Sequence, residues 1–292
     1  MSWAMKNQLM EIKMKDKTYI IGSGWWCDTP ASNVVSGSSN DTEVRKYSVT
    51  GSERKILGDD EIRSESFHQL WYRGVDEFTN PKKIIIVDSN SPVIPSLNPN
   101  DQRLEFVSLA ENSGHSTGCK TKFCGWTKSV LVGLQYALLS EVDYFIYIEQ
   151  DALIYGEGII EHCIDNMKKP CMFGSGEGTP QPLQQSFFII DIKFASQFIE
   201  RLQKIDFMDR DLSPENKFTL ATSKYFNYNN FCAKRIKSDK KKKRFYSGIR
   251  NFDHLPFGYG RNRPVDFDQK YFYFQHGQKS EVQRWKEKME WE

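Results

Sequence analysis

Short, uninterrupted apolar runs alternate along the chain with segments whose apolar positions recur at helical spacing. The clearest runs are 84–87, which is followed by Asp88, and 144–148. Such runs are typical of strands that are buried on both faces of a parallel sheet. Helical spacing predicts helices over 66–78 and about 127–139, and strand-like residues follow at 104–109. This alternation predicts an α/β fold with right-handed crossovers and with ligand chemistry at the carboxyl ends of the strands.

Three segments outside these elements have simpler patterns. Residues 18–21 predict a first strand that opens into a loop at Gly22-Ser23-Gly24. Residues 28–60 are rich in Ser, Thr, Asn, Gly and Asp, which indicates a long surface excursion with at most short hairpins. The C-terminal residues 281–292 are typical of an amphipathic helix, and its packed side chains are predicted to be Val282, Trp285 and Met289.

Composition and charge narrow the function classes. The chain of 292 residues is 14% aromatic, which suits surfaces that bind sugars or nucleobases. Its 40 basic and 38 acidic residues nearly cancel, so a net charge of +2 gives no overall field that would attract nucleic acid. Residues 1–17 contain several charged side chains and no long apolar run, so we expect no signal peptide or membrane anchor and a cytoplasmic protein. The run Lys240–Arg244 is interpreted as a solvated loop, or as a peripheral contact with anionic lipid or another protein.

An acidic triplet, Glu149-Gln150-Asp151, directly follows the apolar run 144–148. Because side chains alternate along an extended chain, the two carboxylates are expected to point to the same side. Paired carboxylate oxygens suit Mg²⁺ or Mn²⁺, whose coordination is often completed by substrate phosphates. A cation at this place would neutralise the charge on a diphosphate leaving group. The alternative interpretation is that both acids only end a strand and begin a turn.

The segment GWTKSVLVGLQYALLSEVDYFIYIEQDALI resembles the GT-A glycosyltransferases, whose DxD motif follows a hydrophobic strand that is itself preceded by a helix. The resemblance extends over residues 17–280 in the order of elements, with Glu instead of Asp at the first motif position. It implies one α/β domain over 1–292, with a mostly parallel central sheet flanked by helices. Residues 17–155 would form a Rossmann-like nucleotide-sugar-binding half, and residues 156–280 an acceptor-binding and catalytic half.

The resemblance also implies which residues contact the nucleotide. In the family, the end of the first strand and the acid after the second strand cradle the base and the ribose. The basic loop HLPFGYGRNRP could fold over phosphates. The expected nucleotide-binding residues are Gly22, Ser23, Asp88, Ser89, Lys128, Gln150, Arg261 and Arg263. Competing interpretations are a turn-forming Asp88 and a solvated Lys128 at a helix start.

A carboxylate base is needed if the reaction inverts the anomeric carbon. Ser213-Pro214-Glu215 is a helix-start signature, and inverting GT-A families hold their base at such a helix start, which implies Glu215 as the catalytic residue. A purely structural Glu215 is the competing interpretation, and the alternative bases are Glu177, Asp209 and Asp211.

The remaining site residues also follow from the resemblance. The acceptor region of the family corresponds to residues 172–190, where hydrogen bonds to sugar hydroxyls are expected from Gln184, Gln185 and Ser186. Many GT-A enzymes place a C-terminal histidine on the metal beside the DxD carboxylate. His276 has that position in the chain, so the expected metal ligands are Glu149, Asp151 and His276.

Together these features predict a metal-dependent glycosyltransferase that moves a sugar from a UDP- or GDP-sugar to a hydroxyl of a glycan or related acceptor, with inversion. A sugar nucleotidyltransferase is one alternative, but it would carry a basic, Gly-rich triphosphate loop, and residues 22–26 contain no Lys or Arg. A non-catalytic carbohydrate-binding protein with a degenerate GT-A fold is the other. Metal-dependent hydrolysis of a nucleotide sugar would distinguish the transferase from the binding protein.

Overall fold

The computed structural model describes residues 17–28, 44–46, 53–55, 60–177, 179, 181–236, 238–258 and 260–290. The predictions made for residues 1–16 and for most of 28–60 lie outside these ranges.

Eleven strands occur in the described part of the chain. They are β1 (Tyr19–Trp25), β2 (Val44–Lys46), β3 (Glu53–Lys55), β4 (Lys83–Asp88), β5 (Leu104–Ser108), β6 (Tyr144–Ile148), β7 (Ala152–Tyr155), β8 (Cys171–Ser175), β9 (Leu183–Asp191), β10 (Asp253–His254) and β11 (Phe272–Gln275).

Eight α-helices occur in the same ranges. They are α1 (Phe67–Phe78), α2 (Gly125–Leu139), α3 (Ile159–Asp165), α4 (Ile192–Lys204), α5 (Pro214–Thr222), α6 (Phe226–Ala233), α7 (Asp239–Gly248) and α8 (Lys279–Lys288). The helices predicted over 66–78 and 127–139 are confirmed as α1 and α2, and the predicted C-terminal helix is α8.

Seven of the strands form one sheet in the order β10-β8-β9-β6-β1-β4-β5. Every neighbouring pair in it is parallel except the two that involve β9, which runs antiparallel to β6 and β8. Strands β7 and β11 form a separate antiparallel pair, and so do β2 and β3. The predicted α/β class with a mostly parallel central sheet is therefore confirmed.

Both faces of the central sheet are covered, which explains why its strands are continuously apolar. Alternate residues of β6 face opposite sides: Ile146 and Ile148 belong to the core cluster with α1, α3 and α8, and Phe145 and Tyr147 to the cluster with α2, α4 and α5. The predicted packing of α8 is also confirmed. Val282, Trp285 and Met289 are buried, and the Trp285 indole nitrogen donates to the Ile154 carbonyl at 3.1 Å.

The first predicted strand is wrong at its carboxyl end. β1 does not open into a loop at Gly22 but continues to Trp25, because its backbone stays paired with the parallel strand β4 up to that residue. Gly22 lies opposite Ile85 of β4 and Tyr147 of β6. Its lack of a side chain makes room for the Phe145 ring, which would lie 2.7 Å from a Cβ at this position. The glycine therefore serves packing within the strand.

Candidate functional site

The site is built where the strand order of the sheet reverses. From β1 the chain goes to β4 and β5 on one side, and then crosses to β6 on the other side. Such a reversal opens a crevice outside the carboxyl ends of the two central strands, which is the usual ligand site of open α/β sheets. The ends of β1 and β6 carry Trp26 and the triplet Glu149-Gln150-Asp151.

The two strand ends are joined by the side chain of Gln150. Its amide oxygen accepts from the backbone N–H of Trp26 at 2.7 Å, and its amide nitrogen donates to the Trp26 carbonyl at 3.0 Å. This pair of bonds copies the pairing of a strand beyond the last ladder residue. Gln150 therefore holds the ends of β1 and β6 together, and both polar atoms of its amide are engaged in doing so. Its predicted contact with the nucleotide stays a prediction.

Strand β11 brings two C-terminal residues to the acidic triplet. It pairs with β7 in a register that places Gln275 opposite Ala152, the residue after Asp151. The Gln275 side-chain nitrogen donates to Glu149 and, at 3.2 Å, to Asp151. The imidazole Nε2 of His276 lies 3.2 Å from the other Asp151 oxygen. Gln275 thus links Glu149 to Asp151, and Asp151 contacts His276, so the three predicted metal ligands lie in one connected group.

His276 also has an unusual backbone conformation. Its φ of 55° lies in the left-handed region, which residues other than glycine rarely adopt. Such conformations persist only where neighbouring structure fixes them, and they cluster at functional sites. Here the turn directs the imidazole toward Asp151 instead of continuing β11.

Glu149, Asp151 and His276 are chemically suited to a hard divalent cation. In this structure, however, both carboxylates accept hydrogen bonds from the side-chain amide of Gln275. Two carboxylates and an imidazole are ligands that Mn²⁺ accepts, and a substrate diphosphate can add oxygens. Within the described ranges, no group of three His, Cys, Asp or Glu side chains stands as a ready-made metal cage. Instead, the side-chain amide of Gln275 donates hydrogen bonds to Glu149 and Asp151 and so stabilises the two carboxylates near each other.

The two predicted phosphate-binding arginines differ in their contacts. Arg261 donates through Nε to the Gln275 side-chain oxygen at 3.2 Å. Burial raises the pKa of the nearby Glu215 carboxyl, and the charge of Arg261 partly opposes that rise. Arg263 is engaged in the structure of the loop: its guanidinium forms an ion pair with Glu281 at 2.5 Å and donates to the Gln275 carbonyl at 2.9 Å. Of the two, Arg261 is the better placed for a ligand at the acidic pair.

Glu215 lies in the first turn of α5, as the Ser-Pro-Glu signature predicts, with Ser213 as N-cap and Pro214 as first helical residue. Removal from water is the main effect on its side chain and raises the pKa of the carboxyl. Hydrogen bonds from its own backbone N–H and from the Ser213 hydroxyl, together with the charge of Arg261, oppose that rise. A carboxylate with a raised pKa is a stronger proton acceptor once it is ionised.

The three alternative bases are in different surroundings. Asp209 is fully buried and pairs with Lys217 at 2.6 Å, where both side chains have no exposure to solvent. Its second oxygen accepts from the Cys124 N–H at 2.8 Å and from the Thr127 hydroxyl at 2.6 Å, at the start of α2. Asp209 therefore stabilises the fold and cannot reach an acceptor. Asp211 and Glu177 are exposed.

The predicted acceptor residues lie on β9, next to the acidic triplet. The backbone N–H of Glu149 donates to the Ser186 carbonyl at 2.8 Å, so Ser186 lies beside the end of β6. Among the described residues, the Ser186 hydroxyl and the Gln185 side-chain oxygen are buried without a hydrogen-bond partner. Gln184 is engaged, since its amide donates to Thr179 at 3.1 Å. Buried polar groups of this kind usually have partners, so Gln185 and Ser186 are the stronger candidates for a ligand.

The residues predicted to contact the nucleobase and the ribose are buried near the carboxyl ends of β1 and β4. Asp88 is buried, and its carboxylate accepts from the Ser91 N–H at 3.0 Å and from the Ser108 hydroxyl at 2.6 Å. These bonds favour the turn-forming interpretation of Asp88. Ser89 is buried against Gly125, and Ser23 is a buried strand residue whose hydroxyl has no partner in the described ranges. The nucleotide contacts of these residues stay predictions.

Lys128 lies in the first turn of α2 and is half-buried. Its predicted contact with the diphosphate or ribose likewise stays a prediction.

Sequence reasoning missed the part played by Gln275. The residue directly precedes the predicted ligand His276, so its position in YFYFQH was a possible signal. Its contact with both acids, however, depends on the pairing of β11 with β7, and nothing in the apolar pattern indicated that pairing.

Comparisons with known proteins give distant structural similarities only. No protein-family model matches the chain, and no curated protein matches it. Among solved structures, HddC from Yersinia pseudotuberculosis aligns with 94% of this chain and 99% of its own, at 11% identity and a TM-score of 0.42. The apo glycosyltransferase GlyE of Streptococcus pneumoniae TIGR4 aligns with 82% of this chain and 45% of its own, at 9% identity and a TM-score of 0.39.

A third structure is a Bacillus anthracis protein provisionally assigned as a glucose-1-phosphate thymidylyltransferase, in complex with sucrose. It aligns with 92% of either chain, at 10% identity and a TM-score of 0.37.

Proposed function

We propose that this chain is a metal-dependent glycosyltransferase that transfers a sugar from a nucleoside-diphosphate sugar to a hydroxyl acceptor. The main support is the approach of Glu149, Asp151 and His276 to one another at the point where the strand order reverses. Cations bound there would stabilise the negative charge that develops on a diphosphate leaving group. Residues 17–155 would bind the nucleotide and residues 156–280 the acceptor.

The chain's own residues then have distinct tasks. Glu149, Asp151 and His276 would hold Mn²⁺ or Mg²⁺. Arg261 would contact the diphosphate, since its guanidinium is already beside the acidic pair through Gln275. Gln150 would keep the ends of β1 and β6 at a fixed separation, which preorganises the crevice for the nucleotide.

Glu215 would act as the base. It would accept the proton of the acceptor hydroxyl while the hydroxyl oxygen attacks the anomeric carbon from the face opposite the leaving diphosphate, which inverts that centre. Gln185 and Ser186, which lie on β9 beside the acidic triplet, would orient the acceptor through hydrogen bonds.

A sugar nucleotidyltransferase is the less favoured function. Such an enzyme binds a nucleoside triphosphate, whereas residues 19–28 are a strand and its end and contain neither Lys nor Arg. The two reactions leave different products: a nucleoside diphosphate from sugar transfer, and pyrophosphate from nucleotidyl transfer.

A thermal-unfolding screen tests the proposal. The full chain would be heated with UDP-, GDP-, dTDP- and CMP-sugars, and with nucleoside triphosphates plus a sugar 1-phosphate, each with and without Mn²⁺, and pyrophosphate release would be measured in the same mixtures. A ligand that binds only the folded state at a hundredfold excess over its Kd adds about 2.7 kcal/mol of stability. We expect a Mn²⁺-dependent rise with one nucleotide class, lost in Asp151→Asn and kept in the exposed control Asp266→Asn. A rise with nucleoside triphosphates alone, accompanied by release of pyrophosphate, would contradict sugar transfer.

A further inference from the structure

Residues 224–250, far from the acidic triplet in sequence, carry a concentration of positive charge. This segment contains ten Lys and Arg residues and one acidic residue, Asp239, in a chain whose net charge is +2. The segment therefore carries a formal charge of +9 while the rest of the chain is negative. Such an asymmetry indicates that this segment binds an anionic partner, even though the whole chain is nearly neutral.

The same segment exposes a stripe of aromatic side chains. Tyr225, the N-cap residue of α6, is followed at three-residue spacing by Tyr228 and Phe231 within the helix, and the exposed fractions of the three are 74%, 69% and 55%. The opposite side of α6 is anchored in the core by Phe226 and Ala233. Exposed aromatic residues scattered singly need no explanation, but three on one helix face indicate an interaction surface.

Charge and aromatic rings meet at the end of α6. The guanidinium carbon of Arg235 lies 3.3 Å from the centroid of the Phe231 ring, and Arg235 also donates to the Phe231 carbonyl at 2.9 Å. After a connection of residues 234–238, α7 begins with the lysine run. Its exposed members are Lys240, Lys241, Lys243 and Arg244, and Tyr246 anchors the helix in the core. The lysine run is thus helical, and not the solvated loop that the sequence suggested.

We propose that α6 and α7 dock this protein on an anionic lipid bilayer. Helices with basic side chains and with Tyr or Phe on an exposed face bind in the headgroup region, where the rings enter the interface and the lysines stay with the phosphates. A second copy of the chain would carry the same +9 segment and would be repelled from it. No helix in the described ranges is long and apolar enough to cross a bilayer.

Vesicle flotation tests this proposal independently of the sugar-transfer reaction. The full chain would be mixed with vesicles of phosphatidylcholine alone or with added phosphatidylserine. We expect flotation only with phosphatidylserine and loss of it at high salt, because exposed charges are screened. Changing Lys240, Lys241 and Lys243 to Gln should weaken partitioning on the order of a hundredfold, from about 1 kcal/mol per basic side chain.

A second variant tests the contribution of the aromatic rings, and a third is a control for the loss of charge. Tyr228→Ser with Phe231→Ser should reduce binding at every salt concentration, because it removes the interfacial rings. The charge-matched control, with Lys120, Lys168 and Lys169 changed to Gln, should bind as the unaltered chain does, since these exposed lysines lie elsewhere in the sequence.

Three results with vesicles, and one on the oligomeric state, would overturn the proposal. The first three are equal flotation with uncharged vesicles, loss of binding in the control variant, and tighter binding of a uridine homopolymer than of phosphatidylserine vesicles. Dimer formation that the aromatic variant abolishes would likewise identify the surface as a contact between copies of this chain.

Discussion

The side-chain nitrogen of Gln275 lies 3.2 Å from a carboxylate oxygen of Asp151, and the same amide also donates to Glu149. Two carboxylates at close range repel each other unless positive charge or hydrogen-bond donors lie between them. Gln275 supplies those donors, and its oxygen is in turn held by Arg261. The amide therefore occupies the place at the acidic pair where a divalent cation would bind.

Replacing Gln275 should change the affinity for cations directly. Because the amide and the cation compete for the same carboxylate oxygens, Gln275→Leu is expected to bind Mn²⁺ several-fold more tightly than the unaltered chain. Electron paramagnetic resonance of free Mn²⁺ measures this without any substrate. Gln283→Leu, an exposed glutamine on α8, is the matched control and should leave the affinity unchanged. Weaker Mn²⁺ binding by Gln275→Leu would show that the amide helps to hold the cation instead of taking its place.

If Glu215 is the catalytic base, replacing it should abolish activity without lowering the stability of the fold. Its raised pKa means that the folded state favours the protonated carboxyl, so its stabilising contribution is present at low pH and is lost as the pH rises through that pKa. At neutral pH, Glu215→Gln should therefore unfold at the same or a higher temperature while sugar transfer falls by orders of magnitude and donor affinity stays. The exposed Asp211→Asn is the control and should keep its activity.

The pH dependence of transfer provides a second test of Glu215. The base works only when it is ionised, so the rate should fall as the pH is lowered through its raised pKa. The acidic limb of the profile should accordingly lie above about 4.3, the ordinary value for glutamate. If Glu215→Gln retained normal turnover, or if Asp211→Asn lost it, Glu215 would not be the base.

The buried pair of Asp209 and Lys217 should dominate the stability of the second half of the chain. Removing one partner leaves an uncompensated buried charge, at a cost of about 3–5 kcal/mol. Asp209→Leu is expected to be worse than Lys217→Met, because Asp209 also accepts from the Cys124 N–H and the Thr127 hydroxyl. The double variant should be more stable than Asp209→Leu alone. Urea unfolding measures all three, and simple addition of the two costs would mean that the charges are not coupled.

Gly22 should resist even the smallest side chain. A Cβ at this position would lie 2.7 Å from the Phe145 ring, so Gly22→Ala is expected to cost about 1–3 kcal/mol through overpacking. Adding Phe145→Leu should restore part of the loss. Gly248→Ala is the control, since no atom lies within 4 Å of its added Cβ and alanine favours a helix. An unchanged urea midpoint in Gly22→Ala would refute the packing role.

Much of the fold could be predicted from the sequence because local patterns determine local structure. The apolar run 144–148 and the helical spacing in 66–78 each reflect burial that a strand or helix repeats along its length. The Ser213-Pro214-Glu215 signature gave the start of α5 correctly, since a proline at the first helical position loses no hydrogen bond. The extended backbone predicted for Glu149-Gln150-Asp151 was wrong, however, because the Ala152 N–H donates to the Glu149 carbonyl at 3.0 Å and closes a turn over these residues.

The tertiary structure decided which distant residues meet. Gln275 approaches Glu149 and Asp151 only because β11 pairs with β7, and Asp209 became a fold-stabilising residue only because Lys217 is buried beside it. Gly22 looked like the end of a strand, and its pairing with β6 does end there, yet the ladder with β4 continues to Trp25. Long-range pairing depends on the surfaces of elements far apart in the chain, so a pattern within one segment determines the element but not its partner.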